Sequence, residues 1–167
     1  MKPLFEALAT ELENTTFTFE DYNVPLGGFT KLPMTLYNLE TLYKGYSIQI
    51  QNEFGNHNLG NVNLVLQNKK LPEFDVISGN HFTNLFLRKK DMLTVKCRNI
   101  AFKKFLEQKL QDSNLQRIAK DNLFEPKITN NCNQVDSHIH TLYHLEFSDK
   151  IGAIKAIINF YKDLIDY

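Results

Sequence analysis

Along most of this chain hydrophobic and polar residues alternate with a period of two. The spacing lengthens to a helical one near both ends and in one stretch after residue 98. Leu4, Leu8 and Leu12 stand four apart with Phe5 beside them, which predicts a short amphipathic helix over residues 3–13. Pro3 suits its first turn and Asn14 its stop. Residues 15–19 then switch to period two and predict a strand, and Val24-Pro25-Leu26-Gly27-Gly28 predicts a turn. Residues 32–43 fit a strand or a helix. Lys44-Gly45 marks a reversal, after which Tyr46, Ile48 and Ile50 face one way and Ser47, Gln49 and Gln51 the other, the pattern of a sheet with one wet face.

Shorter strands are predicted at 62–66, 74–77, 82–87 and 92–97, with a polar loop at 55–60 and turns at 68–72 and 78–80. Asn99 is placed to cap a helix running to about residue 111, with Ile100, Phe102, Phe105, Leu106 and Leu110 as its apolar side. Ser113 is placed to cap a second helical piece. A strand at 124–128 and a turn at 130–133 follow, then a strand over 138–147 whose core side is Thr141, Tyr143, Leu145 and Phe147. The last element is a helix over about 149–166, capped by Ser148. Runs of strands and runs of helices are thus segregated. That order predicts a single α+β domain over 1–167, with a mainly antiparallel sheet, helices packed on one face, an N-terminal helix and a long C-terminal one.

Composition narrows the picture. The chain has 167 residues, 43% hydrophobic and 23% charged, enough to bury a core without disulfides or metal. Its formal net charge is 0, so the molecule as a whole exerts no strong pull on nucleic acid, which is not the expected partner. Two cysteines, Cys97 and Cys132, make no disulfide framework: Cys97 reads as a small core residue and Cys132 as a thiol in a turn. No segment is a signal peptide or approaches the roughly 20 apolar residues that span a bilayer, so the expected location is cytoplasmic.

Three groups of residues carry candidate chemistry. His138, His140 and His144 project from one face of the strand at 138–147. His138 and His140, about 7 Å apart at their Cα atoms, would hold two corners of a zinc tetrahedron, while His144 lies too far along. A third ligand would come from Cys132, Asp136, Glu146, His57 or His81. The bland alternative is a hydrated sheet face. Second, the span from Arg88 to Lys109 is basic. Lys96, Arg98, Lys103 and Lys104 are its candidate phosphate or polyanion contacts, weighed against an ordinary solvated face. Third, Tyr22, Phe29, Tyr37, Tyr43 and Tyr46 would line a pocket if they converged, though packing explains them as well.

Phosphate loops, nucleophile elbows, metalloprotease motifs and paired C-x-x-C spacings are all missing, so no enzyme class is supported. The reading that results is a non-catalytic binding module for a protein partner or small ligand, with no resident cofactor. A second copy of the chain is one candidate partner, because the closing helix is apolar on two sides: Ile151, Ile154 and Ile158 on one, Ile157, Phe160 and Leu164 on the next. The alternatives are a metal-dependent hydrolase using His138 and His140, and a phospholigand- or RNA-binding module using the basic span.

Overall fold

A computed structural model of the chain describes residues 1–27, 30–55, 58–79 and 91–167, apart from the side chain of Leu26. The strand expected at 82–87 lies outside the described residues, as do Phe29, His57, His81, Arg88, Lys89 and Lys90.

In chain order the elements are α1 (Lys2–Glu11), β1 (Thr15–Gly27), β2 (Thr30–Tyr43), β3 (Tyr46–Phe54), β4 (Leu59–Leu66), β5 (Phe74–Ser78), β6 (Leu93–Cys97), α2 (Ile100–Asp112), α3 (Leu115–Asp121), β7 (Lys127–Cys132), β8 (Ser137–His144) and α4 (Lys150–Asp166). Among the described residues eight strands form one sheet in the order β1-β2-β3-β4-β8-β7-β5-β6, and every neighbouring pair is antiparallel. This is the α+β architecture that the segregated pattern predicts.

Period-two alternation places the core. Ile48 and Ile50 on β3, Val62 and Leu64 on β4, Ile139 and Tyr143 on β8, and Val95 on β6 are buried on one face. The helices cover that face: α1 lies against β1 and β2, α4 against β3, and α2 against β6, with α3 packed between α2 and α4. Hydroxyls and an amide inside this layer pair with one another. Tyr143 donates to Asn52 Oδ1 at 2.7 Å, and the Thr141 and Tyr161 hydroxyls lie 2.8 Å apart. Burial pushes both tyrosines well above the ordinary phenol range. Helix α4 is buried on both of its apolar sides, with Ile154 and Ile158 on one and Ile157, Phe160 and Leu164 on the other. Its breadth is therefore used within the domain.

Local chemistry explains the boundaries, including those that differ from expectation. The β2–β3 hairpin turns on Lys44 and Gly45, both at positive φ (49° and 83°), the requirement of a two-residue type I′ connection. Residues 32–43 are strand throughout. β1 takes in the expected turn as far as Gly27, pairing Val24 with Leu32 and Pro25 with Lys31, and Gly28 lies outside the described residues. Pro25 is tolerated because it lies on a sheet edge, where a missing N–H on the solvent side breaks no ladder bond. The expected turn at 130–133 is the end of β7, since β8 offers backbone partners to Asn130, Asn131 and Cys132; the reversal falls at 133–136. Asn99 caps α2 as expected, accepting from Phe102 N at 3.0 Å, whereas Ile100 is 72% exposed. Leu4 points away from the core that Phe5 and Leu8 fill. Asp149 rather than Ser148 caps α4, accepting from Gly152 N at 2.8 Å. Ser113 closes α2, and Asn114 in the left-handed conformation begins α3.

Candidate functional site

Among the described residues the face opposite the helices is open and polar. His138 and His140 project from it, as period two requires. His138 is exposed, its Nε2 3.3 Å from Asn133 Nδ2, and His140 is half-buried. His140 belongs to a row of directly opposed residues running Asn63, His140, Thr129, Asp75, Lys96 from β4 to β6. The row links the two sequence-predicted sites without merging them, because three strand spacings, about 14 Å, separate His140 from Lys96. Among the described residues no three His, Cys, Asp or Glu side chains are grouped to hold a metal ion. Completing a tetrahedron on His138 and His140 would require another donor, and His57 and His81 lie outside the described residues.

The four basic candidates divide. Lys103 lies 3.7 Å from Glu107 one turn along α2. Lys104 borders a shallow depression with Asp91 and Gln108. Lys96 and Arg98 instead border a cleft of about 760 Å³ at the end of the sheet where β5, β6 and β7 meet the connection leading into β5. That volume is in the range of sites that hold small molecules. Lys70, Glu73 and Asp75 share its rim, and Phe74, Cys97 and Asn130 line it from the covered side of the sheet. Among the described residues Tyr22, Tyr37 and Tyr43 do not converge: Tyr22 donates to Glu53 on the open face, Tyr37 stacks on Phe5 beneath α1, and Tyr43 donates to Asp166.

Four hydrogen bonds shape the cleft by tying the connection before β5 to the β7–β8 hairpin. Asn68 N donates to Asp136 Oδ1 at 2.8 Å and Leu71 N to Ser137 Oγ at 2.7 Å. Cys132 Sγ donates to Leu71 O at 3.1 Å, and Asn130 Nδ2 to Pro72 O at 3.1 Å. The bond from Asn68 N, reinforced by Asn133, holds the Asp136 carboxyl below the usual carboxylate range.

Asn130 is the unusual member. It is 3% exposed, and because Pro72 O requires a donor, its amide nitrogen must face that carbonyl. Its Oδ1 is then left buried with no partner, a state that costs about 1–3 kcal/mol in a protein interior. The first turn of α2 opens beside the same cleft. Asn99 lines it and caps Phe102 N, and the helix macrodipole adds partial positive charge to that of Lys70, Lys96 and Arg98. The site therefore offers cationic groups and buried or rim acceptors side by side.

Lys70 and Asn130 were not legible as site residues, and Cys132 was legible only as a candidate zinc ligand. The available signal was polar Asn130 on the same side of the alternation as Ile128, a core-facing position. Comparison with protein-family models, with curated proteins and with solved structures finds no match to this chain.

Proposed function

We propose that this chain is a non-catalytic binding domain that holds a small ligand in the cleft at the end of β5, β6 and β7. The ligand carries an anionic group together with hydrogen-bond donors. The observation that carries the reading is the pairing of opposites around one concavity. Lys70, Lys96, Arg98 and the first turn of α2 favour an anion, while the Glu73 and Asp75 carboxylates favour donors. An anion alone would satisfy the first set and be repelled by the second. A phosphate or carboxylate joined to an amine or hydroxyl group satisfies both.

Binding is favoured over catalysis by the company the thiol keeps. The partners of Cys132 are the Leu71 carbonyl, the Asn130 amide and the Ser137 hydroxyl, none of which is a base that would draw off its proton.

Amide NMR titration with phosphoethanolamine and with inorganic phosphate tests the reading. Phosphoethanolamine is expected to shift the amides of Lys70, Asn99, Ile100 and Asn130 and to bind more tightly than phosphate. Arg98→Ala should weaken it, and Lys104→Ala, which lies outside the cleft, should leave it unchanged. No shifts, or equal loss in both variants, would sink the proposal.

A further inference from the structure

Among the described residues the two edges of the sheet are finished differently. β6 is five residues long, carries Lys96 and runs into Arg98, the short, charged ending that discourages strand addition. β1 is thirteen residues long, and among the described residues its only strand partner is β2. From Thr15 to Asn23 it pairs regularly with β2 and contains no Pro, Lys or bulge; the only irregularity falls beyond, between Pro25 and Gly27.

Which backbone groups of β1 face outward follows from one bond. Leu42 N donates to Asn14 O at 3.0 Å, so the even residues of β1 bond to β2. The N–H and C=O groups of Thr15, Phe17, Phe19, Asp21 and Asn23 therefore point away from the sheet. These are also the residues whose side chains lie on the helix-covered side, where Phe17 stacks on Phe5 and Phe19 stacks on Phe17 at 6.4 Å. Phe19 remains 42% exposed at this edge, and Leu4 of the adjoining α1 is 52% exposed.

We infer that β1 is the seam of a symmetric dimer, in which β1 of a second copy adds antiparallel to it about a two-fold axis at Thr18. That register is singled out by its pairs. Phe17 falls opposite Phe19 of the second copy, Thr15 opposite its Asp21, Thr16 opposite its Glu20, and Thr18 opposite itself. Aromatic residues meet aromatic residues, each carboxylate meets a hydroxyl, and no like charges are directly opposed. Centring on Glu20 would oppose two glutamates, centring on Phe17 would oppose Glu13 and Asp21, and centring on Phe19 would set Phe17 against Asp21. In the Thr18 register the outward groups of Thr15, Phe17, Phe19 and Asp21 form about eight ladder bonds, two for each hydrogen-bonded pair. The two sheets become one, with both helical layers on the same side and the added Phe17 and Phe19 rings packed beside Phe19, whose ring carries the Lys2 ammonium at 3.7 Å. The cleft lies at the opposite edge, so the dimer leaves both binding sites open.

Sedimentation equilibrium of the full chain, together with cysteine cross-linking, tests this inference. Wild type is expected to dimerise reversibly. Thr18→Lys places two ammonium groups across the axis and alters only an exposed side chain in the monomer, so its dissociation constant should rise by roughly an order of magnitude with unchanged thermal stability. Under copper–phenanthroline oxidation Thr18→Cys should give a covalent dimer, because directly opposed Cα atoms of a non-hydrogen-bonded pair lie about 4.5 Å apart, within disulfide reach. Glu20→Cys should not, since the two copies of that residue sit about 13 Å apart. A wild type that stays monomeric to its solubility limit overturns the inference. So does a dimer indifferent to Thr18→Lys that fails to cross-link through Thr18→Cys, which would place the interface elsewhere or give the edge to a different partner.

Discussion

The two halves of the sheet are made of similar strands but assembled in opposite ways. β1 to β4 are neighbours in sequence and in space, a meander with short connections, and their alternation runs with little interruption. β5 to β8 are interleaved: β8 returns to pair with β4, β7 fits between β8 and β5, and two helices intervene between β6 and β7. Consecutive hairpins leave few backbone groups stranded, because each strand is completed by the next. Interleaved strands leave ends that must be closed by side chains and by the 67–73 connection. It is at such an end that the cleft, its cations and the unpaired Asn130 Oδ1 occur. The meander supplies rigidity and an edge; the interleaved half supplies a concave surface.

Substitutions at the join between the halves should have the largest effect. Gly60 stands opposite both Asn52 and Tyr143, and a Cβ there would come within 2.2 Å of the Tyr143 ring and 2.4 Å of Asn52 Oδ1. Both neighbours are buried and held by their mutual hydrogen bond. Gly60→Ala is therefore expected to cost about 3 kcal/mol in urea unfolding. Gly45→Ala, at positive φ but with open space around it, should cost about 1–2 kcal/mol. If the two were equal, the join would be looser than the contacts imply.

A smaller effect should separate the halves. Buried Gln116 of α3 accepts from Met92 N and Leu93 N at 3.1 and 2.9 Å and donates to Leu93 O at 2.7 Å, tying β6 to the helical layer. Gln116→Ala should cost about 2 kcal/mol. Hydrogen exchange should show the loss of protection concentrated at Met92 and Leu93 and absent from β3. Uniform loss across the sheet would mean that the halves open as one unit.

The smallest effect is a dependence on pH. The Asp136 carboxyl is held below its ordinary 3.8 by the bond from Asn68 N, so it adds stability above that pH and loses it as the pH falls through and beneath it. Wild type should thus lose more stability between about pH 7 and about pH 3 than Asp136→Ala does, the difference being read as the gap between their denaturant midpoints. Equal losses would show that the cleft-forming connection does not depend on this carboxylate.

Much of the molecule was legible in the residues themselves. Alternation in Tyr46–Gln51 and in Thr141–His144 identifies the core side of β3 and β8 and so the wet face, because a strand's side chains have only two directions to take, although β8 ends at His144, short of the expected 147. Lys44-Gly45 marks the hairpin and Asn99 the helix start, since both are settled by chemistry within a few residues. The local pattern was misleading where distant backbone competed with it. Asn130-Asn131-Cys132 has turn composition but lies in β7 because β8 supplies ladder partners, and β1 continues to Gly27 because β2 runs beside it. The cleft belongs to the same class. Lys96 and Arg98 were recognisable as basic and lead straight into the first turn of α2, but Lys70 and Asn130 join them only through strand order. Periodicity determines which way a side chain points, a property of the chain with itself. Which strands become neighbours, and hence where cations and an unpaired acceptor meet, depends on burying one continuous apolar face, and only the tertiary structure decides that.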